Sequence, residues 1–486
     1  MTKSRNLHQP FFFTVVCWGD SYYDHLLNYL IPSLLSPNNI PILDRTANNK
    51  FLIATTRNDI RKYEDDCRLL GLSNYLQVEF LEIPEKPSDI TACQHMGLGH
   101  LMMTEQAFRE KAIGVLLTPD LVVSDGTIKA CREAVSEGND VVLLAALRFA
   151  EEGVLPYLEK IRHESLGNSL VLDPRDLVRS ALASLHSETA TYVFDDDTYH
   201  LFPVASMWRV GDEGYLVHSL SWAPLAINYK PLEKHETEML LTWTIDGDYI
   251  YQNFGANPNL KVIQNSDDAM LVSWTPLAEG ERDLTCAKKQ STKTKLKRLA
   301  FARYHPSIDP MKRRIFEMPV RWNWCEPTTD LWDATTQKAK ALIDQASAFE
   351  QVSINQALED IRKHHKALWE QKIEALKTQH RASRHLKTFM KNKDKNMLSI
   401  SDRNNFSHFL FYIKLKTYIF YYYVGIIPCF YFKTWIKIAG NLMFRFSLVM
   451  SRIKERKNDI PGIVLGLLLL KKRDWNRVKK LFQIIF

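Results

Sequence analysis

Over residues 11–149 five short apolar runs alternate with amphipathic stretches, and this alternation restricts the fold more than any other feature of the chain. The runs are FFFTVVC (11–17), FLIATT (51–56), VEFLEI (78–83), IGVLL (113–117) and DVVLLAALRF, which places a strand near 140–147. Short continuous apolar runs closed by turn signals mark strands buried on both faces, as in parallel sheets. Between them, YYDHLLNYLIPSLL, NDIRKYEDDCRLLG, a longer stretch over about 90–111 and TIKACREAVSEG space their apolar residues as helices do. Strands and helices in this order, joined by short connections, predict a doubly wound, mostly parallel α/β sheet.

Ligands of such sheets bind outside the carboxyl ends of the strands, so the residues just after each run are the first candidates for chemistry. The fourth run ends in Thr118-Pro119-Asp120, and Pro119 holds Thr118 extended, carrying the strand straight up to the acid. After the first run come Trp18, Gly19 and Asp20, with Asp20 or Ser21 equally suited to cap the following helix. After the second come Thr55, Thr56 and Arg57, whose guanidinium suits a diphosphate or a base. Ser124 or Asp125 is placed to cap the helix over 127–137. No GxGxxG follows the first run, and the chain holds no GxxxxGK[ST] and no GxSxG. Dinucleotide, P-loop and serine-hydrolase readings therefore lose their specific support.

The succession of strand, polar turn, helix and strand, leading to LTPDLVVSDGTIKACREA, resembles the nucleotide-sugar glycosyltransferases of the GT-A type. That segment looks particularly like their bacterial polysaccharide branch, and the resemblance covers about residues 11–275. In that family the corresponding strand ends in a short acidic motif, often Asp-x-Asp, which binds a divalent metal and the donor diphosphate. Here the motif is a single acid, Asp120, which puts metal dependence in question. The resemblance implies donor contacts from Trp18, Asp20, Thr55, Arg57 and Asp120, with Asp120 as ligand of a Mn²⁺ or Mg²⁺ ion.

Residues 1–150 then form the nucleotide-sugar half and 151–330 the acceptor-binding half. The second half is rich in Trp, Tyr, His and Asp, a mixture suited to carbohydrate, because rings stack on sugar faces and carboxylates accept hydroxyl protons. TIDGDY presents Asp246 and Asp248 about a glycine, as a base for the acceptor hydroxyl or as an Asp-Gly turn. His235 and Glu236 are further candidates for base or metal ligand. They are not part of HExxH, since position 239 is Met. Asp195, Asp196 and Asp197 are a fallback metal site or a solvated loop.

The seven cysteines are scattered without a CxxC pair, as in a reduced cytosolic protein. The net charge of +7 is unevenly spread: residues 371–486 carry +18 and the rest −11. Residues 328–427 hold no proline, and 331–395 reads as a helical extension that offers an oligomer contact. In the tail, 396–486, TYIFYYYVGIIPCFYF (417–432) and IPGIVLGLLLL (460–470) fall short of the roughly 20 residues of a spanning helix. Their basic flanks suit peripheral or monotopic attachment to an anionic membrane from the cytoplasmic side, and they favour lipid over nucleic acid.

The resemblance, taken with the basic tail, therefore implies a glycosyltransferase that moves a sugar from a nucleotide donor to a lipid-linked or polysaccharide acceptor at the cytoplasmic membrane face. The alternatives are a membrane-tethered nucleotide- or sugar-binding scaffold without catalysis, and a transferase using another nucleotide on the same sheet.

Overall fold

Phe11–Val16 (β1) is buried along its whole length. In the computed structural model, which describes residues 9–355 except 166, 242, 280–288, 306, 307 and 354, a seven-stranded sheet is built around it. The other strands of the first half are Lys50–Thr56 (β2), Gln77–Ile83 (β3), Ile113–Leu117 (β4), Leu121–Val123 (β5), Val141–Ala145 (β6) and Arg148–Ala150 (β7). Those of the second half are Ala205–Val210 (β8), Gly214–Ser219 (β9), Trp222–Asn228 (β10), Leu260–Val262 (β11), Leu271–Thr275 (β12) and Val320–Asn323 (β13). The main sheet runs β11-β6-β10-β4-β1-β2-β3. All five strands expected from the sequence are in it.

Strand residues alternate between two cores, as a period of two requires. Phe12, Val16, Leu52 and Ala54 enter one, while Phe11, Phe13, Val15, Phe51 and Ile53 enter the other. The sheet is thus doubly wound, with helices on both faces. One strand departs from the parallel expectation: β10 lies antiparallel between β4 and β6. Strands from both sides of residue 150 consequently share one sheet. Two three-stranded sheets, β5-β12-β7 and β13-β9-β8, complete the architecture.

The Ala92–Arg109 helix opens with a capping box, in which Thr91 Oγ1 accepts from Gln94 N and Gln94 Oε1 accepts from Thr91 N. The helix after β1 begins at Asp20 and widens into a π-turn over Leu26–Leu30. Two expected caps are corrected. The first helix is entered through Gly19 and the Thr127–Ser136 helix through Gly126, both at positive φ and without a side-chain cap. Asn39 does the capping from a distant loop, its Oδ1 accepting from Ile128 N at 2.9 Å. Asp125 instead ties that loop down by accepting from Asn38 N and Nδ2.

Among the described residues no helix is long and apolar enough to cross a membrane. The Thr329–Ser347 helix begins two residues before the expected extension and overlaps its start. Residues 356–486, with the rest of that extension and the basic tail, lie outside the described residues, as do the membrane and oligomer readings placed on them.

Candidate functional site

The carboxyl ends of β1 and β4 lie side by side because the two strands pair in parallel register, Val15 opposite Leu117. Cys17 and Trp18 leave the first, and Thr118 to Asp120 leave the second. Asp120 is half-buried, and its backbone carbonyl accepts from Trp274 N of β12 at 3.3 Å. Burial pushes its carboxyl above the ordinary carboxylate range. The hydrogen bond from Thr118 and the nearby His25 and Arg148 side chains pull the other way. Burial, reinforced by the negative field of Asp59 and Asp120, raises the Cys17 thiol well above its usual value. The thiol stays protonated and is no nucleophile.

Five aromatic rings border this end of the sheet. Tyr22 is 46% exposed and feels the charges of Asp120, Glu279 and Glu151. His25 meets the Trp274 ring edge-on at 5.4 Å, and Trp18 meets His95 at 4.8 Å. Several ring nitrogens here are buried without a hydrogen-bond partner among the described residues: His25 Nδ1, both nitrogens of His95, and Trp274 Nε1. Buried polar groups are normally paired, so these unpartnered nitrogens make this end of the sheet a candidate place for a polar ligand. Arg148 opens β7, is exposed, and makes no ion pair among the described residues.

The other expected donor residues are held by the protein itself. Asp20 is exposed and bound to Lys62 Nζ at 2.5 Å and Tyr63 OH at 2.9 Å. Thr55 is fully buried, its hydroxyl accepting from Tyr23 OH at 3.1 Å. Arg57 makes a two-pronged contact with Glu82 at 3.2 and 3.0 Å. Asp59, missed in the sequence, connects the two turns, because its Oδ2 accepts from Gly19 N at 3.2 Å and Thr56 Oγ1 at 2.9 Å. His25, Arg148 and Trp274 were missed as well. Only their position one turn beyond β1 or at the ends of short strands could have signalled them.

In the second half, Asp246 caps the Gly247–Phe254 helix, its Oδ1 accepting from Asp248 N at 2.7 Å. Burial and then the Asp248 charge raise its carboxyl, while Lys312 lowers it. Asp248 is held by Lys312 Nζ at 2.6 Å. His235 lies in a chain of hydrogen bonds. Its Nδ1 meets Glu105 at 3.0 Å and its Nε2 meets Tyr249 OH at 2.5 Å, and Tyr249 OH meets Tyr229 OH at 3.0 Å. This buried chain ties the Ala92–Arg109 helix to Tyr229, the residue after β10, and to the Gly247–Phe254 helix. Glu236 pairs with Lys234. Each acid of the 195–197 run has a cationic partner: Lys338 for Asp195, Arg209 for Asp196 and Lys289 for Asp197. Among the described residues no three His, Cys, Asp or Glu side chains come together to hold a metal.

No family model and no curated protein sequence matches the chain. Among solved structures the chain is similar to S. aureus TarS 1-349, with 11% identity over 64% of this chain and 70% of that one, at a TM-score of 0.28. The same protein in complex with UDP gives 10% identity over 63% and 70%, also at 0.28. A longer TarS structure gives 14% identity over 28% of this chain at a TM-score of 0.19, and the match spans 21% of that chain's length. Likeness at these scores has no bearing on the roles of the residues above.

Three buried histidines make the fold sensitive to acid. Burial lowers His95, His100 and His218 from 6.5 to about 4. Above their unfolded value they cost nothing. As pH falls from 6.5 toward 4, the unfolded chain takes up protons that the folded one refuses, so stability falls. The half-buried Asp120 and Asp246 have raised values and act in the opposite sense. The melting temperature should therefore drop between pH 6.5 and 4.5 less steeply in His100→Gln, whose side chain can still accept from Ile245 N. An identical slope in the two proteins would remove His100 from this account.

Proposed function

We propose that this protein is a nucleotide-sugar glycosyltransferase whose donor diphosphate is held at the carboxyl edge of the sheet, around Asp120, His25 and Arg148. The observation that carries this reading is the Asp120 carboxylate, half-buried at the end of β4 among unpartnered buried ring nitrogens. A nucleotide diphosphate supplies what each group lacks: anionic oxygens for Arg148, acceptors for the Trp274 and His25 donors, and a flat base for Trp18 or Tyr22. The Arg148 guanidinium would stabilise the charge developing on the leaving diphosphate.

The donor set also suits a Mg²⁺ or Mn²⁺ ion shared with substrate, because hard cations of this kind are commonly held by one or two carboxylates plus phosphate oxygens. Asp120 would be the protein's ligand, and the ion would add further charge neutralisation. Proton removal from the acceptor hydroxyl falls to Asp246 or Asp248. Asp246 has the raised proton affinity of a base, though its Oδ1 is already engaged in capping.

The test is thermal stabilisation of the full chain by UDP-, GDP- and ADP-sugars and the free diphosphates, with Mg²⁺, Mn²⁺ or EDTA. A nucleotide-specific shift followed by release of the diphosphate in the presence of a glycan acceptor is the expected result. Binding without turnover would favour the scaffold alternative, which the single acid at 120 speaks for. No shift with any nucleotide would end the donor assignment. Arg148→Ala should weaken the donor about tenfold while leaving the melting temperature of the free protein unchanged, since its side chain is exposed.

The acceptor in this reading is a lipid-linked or growing polysaccharide, and the basic tail keeps the enzyme on the cytoplasmic membrane face beside it. The full chain should co-sediment with vesicles containing phosphatidylglycerol and be released by salt. Equal binding to neutral vesicles at all salt concentrations would speak against an electrostatic anchor.

A further inference from the structure

A cavity of about 470 Å³ opens between the 238–254 segment and the start of the Pro310–Phe316 helix. Its walls are Met239, Trp243, Asp248, Tyr251, Gln252 and Asp309. The size is within the roughly 300–1,000 Å³ of small-molecule sites. Trp243 is 53% exposed, an indole left in water where burial would be favourable. Asp309 has one oxygen in use, Oδ1 accepting from Lys312 N at 2.8 Å as the cap of its helix. Its other oxygen, Oδ2, is buried and has no partner among the described residues. Asp248 is fixed by Lys312 Nζ, so its position is set before any ligand arrives. Gln252 adds a group that can both donate and accept.

These features select one ligand chemistry. The three carboxylates Asp246, Asp248 and Asp309 outnumber the single Lys312 that faces them, so an anion would be repelled. A ring face flanked by hydrogen-bond acceptors complements a molecule with an apolar face and a rim of hydroxyl donors. We propose that this cavity is a saccharide-binding subsite for a neutral pyranose unit of a glycan, stacked on Trp243, with a hydroxyl donating to Asp309 Oδ2, which the free protein keeps closed to solvent and the ligand has to uncover. The proposal rests on the transferase reading and deepens it, because it makes the acceptor a neutral glycan and gives it a place. The cavity also has a physical link to the donor side. The backbone oxygen of Trp243 lies against Gly97 of the Ala92–Arg109 helix, two residues from His95, whose ring meets Trp18.

The test is saturation-transfer NMR on the full chain with cellotriose, maltotriose and chitotriose as probes, and with UDP and GDP in the same samples. At least one trisaccharide should receive saturation on its ring protons. Trp243→Ala should weaken it about tenfold or more, and Trp243→Phe should retain most of the binding. Asp309→Asn should weaken it too. With Oδ1 committed to the cap, the amide nitrogen takes the place of Oδ2 and turns an acceptor into a donor. Nucleotide binding should be unchanged in all three variants. No binding of any trisaccharide, or binding that is equal in Trp243→Ala, would overturn the proposal. Saccharide binding without nucleotide binding would sink the transferase reading and leave this site standing, whereas nucleotide binding alone would do the reverse.

Discussion

Replacing Asp120 with Asn should abolish the thermal shift produced by a nucleotide-sugar while leaving the free protein as stable as before, or slightly more so. The side chain keeps its shape and can still accept from Thr118, so no packing is lost. What changes is charge. Burial raises the Asp120 carboxyl, and an acid raised in the folded state contributes stability at low pH that is lost once it ionises. At neutral pH the carboxylate is therefore a cost to the fold, and the amide relieves it. The donor loses its partner at the same time. A ligand at a hundred times its dissociation constant stabilises by about 2.7 kcal/mol, and this is the quantity that should vanish. Sugar transfer should fall by roughly 10²–10³-fold, the scale on which removal of a preorganised electrostatic contact acts. If the melting temperature fell and the nucleotide-induced shift survived, Asp120 would be a structural acid, and the site would have to be sought elsewhere.

That one acid could be found in the sequence because its position is set locally. A buried strand ending in Thr-Pro-Asp can hardly place the carboxylate anywhere but at the sheet's open end. Four of the five strands were legible for the same reason: FFFTVV, FLIATT, IGVLL and VVLLA are apolar without alternation, which only burial on both faces accommodates, whereas VEFLEI is interrupted by Glu79 and Glu82 and forms the half-buried edge strand β3. Arg57 and Thr55 show where local reading stops. Arg57 is spent on Glu82, 25 residues away, and Thr55 on Tyr23, 32 residues away. Both partners arrive through strand order. The cap over Thr127–Ser136 failed similarly, because Asn39 reaches it from 89 residues upstream. The antiparallel entry of β10 between β4 and β6 was equally beyond the sequence, since WAPLAIN carries no mark of direction or neighbour. His25, Arg148 and Trp274 become a group only once β5-β12-β7 and the main sheet have assembled. The candidate site was legible where one strand made it, and hidden where several strands had to meet.

The largest effect on stability should come from Gly97→Ala, a substitution that helix propensity alone would recommend. In an exposed helix interior, alanine gains about 0.5–1 kcal/mol over glycine. Here the added Cβ would stand 2.2 Å from the Leu240 carbonyl oxygen and 2.6 Å from that of Trp243. Both obstacles are backbone, which cannot rotate aside as a side chain would. The other face of the helix has no room to retreat, because a Cβ at Gly99 would already press on Val16 and Ala54 at 2.7–2.9 Å. The helix is pinched between the sheet and the 238–243 segment, and glycines at 97 and 99 make both approaches possible. Overpacking of this kind costs about 1–3 kcal/mol, more than the propensity gain, so the net effect is destabilising. Gly71→Ala is the matched control. It too lies in a helix, but its nearest neighbour is Asn168 Nδ2 at 3.8 Å, so alanine should be neutral or stabilising there. Paired melting curves should move in opposite directions. Function separates further: the strain in Gly97→Ala falls on the segment that carries Trp243 and leads into Asp246. Saccharide binding should then suffer more than nucleotide binding. Equal melting temperatures for the two variants would show that the 238–243 segment yields freely, and that the link drawn between the donor edge and the saccharide cavity is slack.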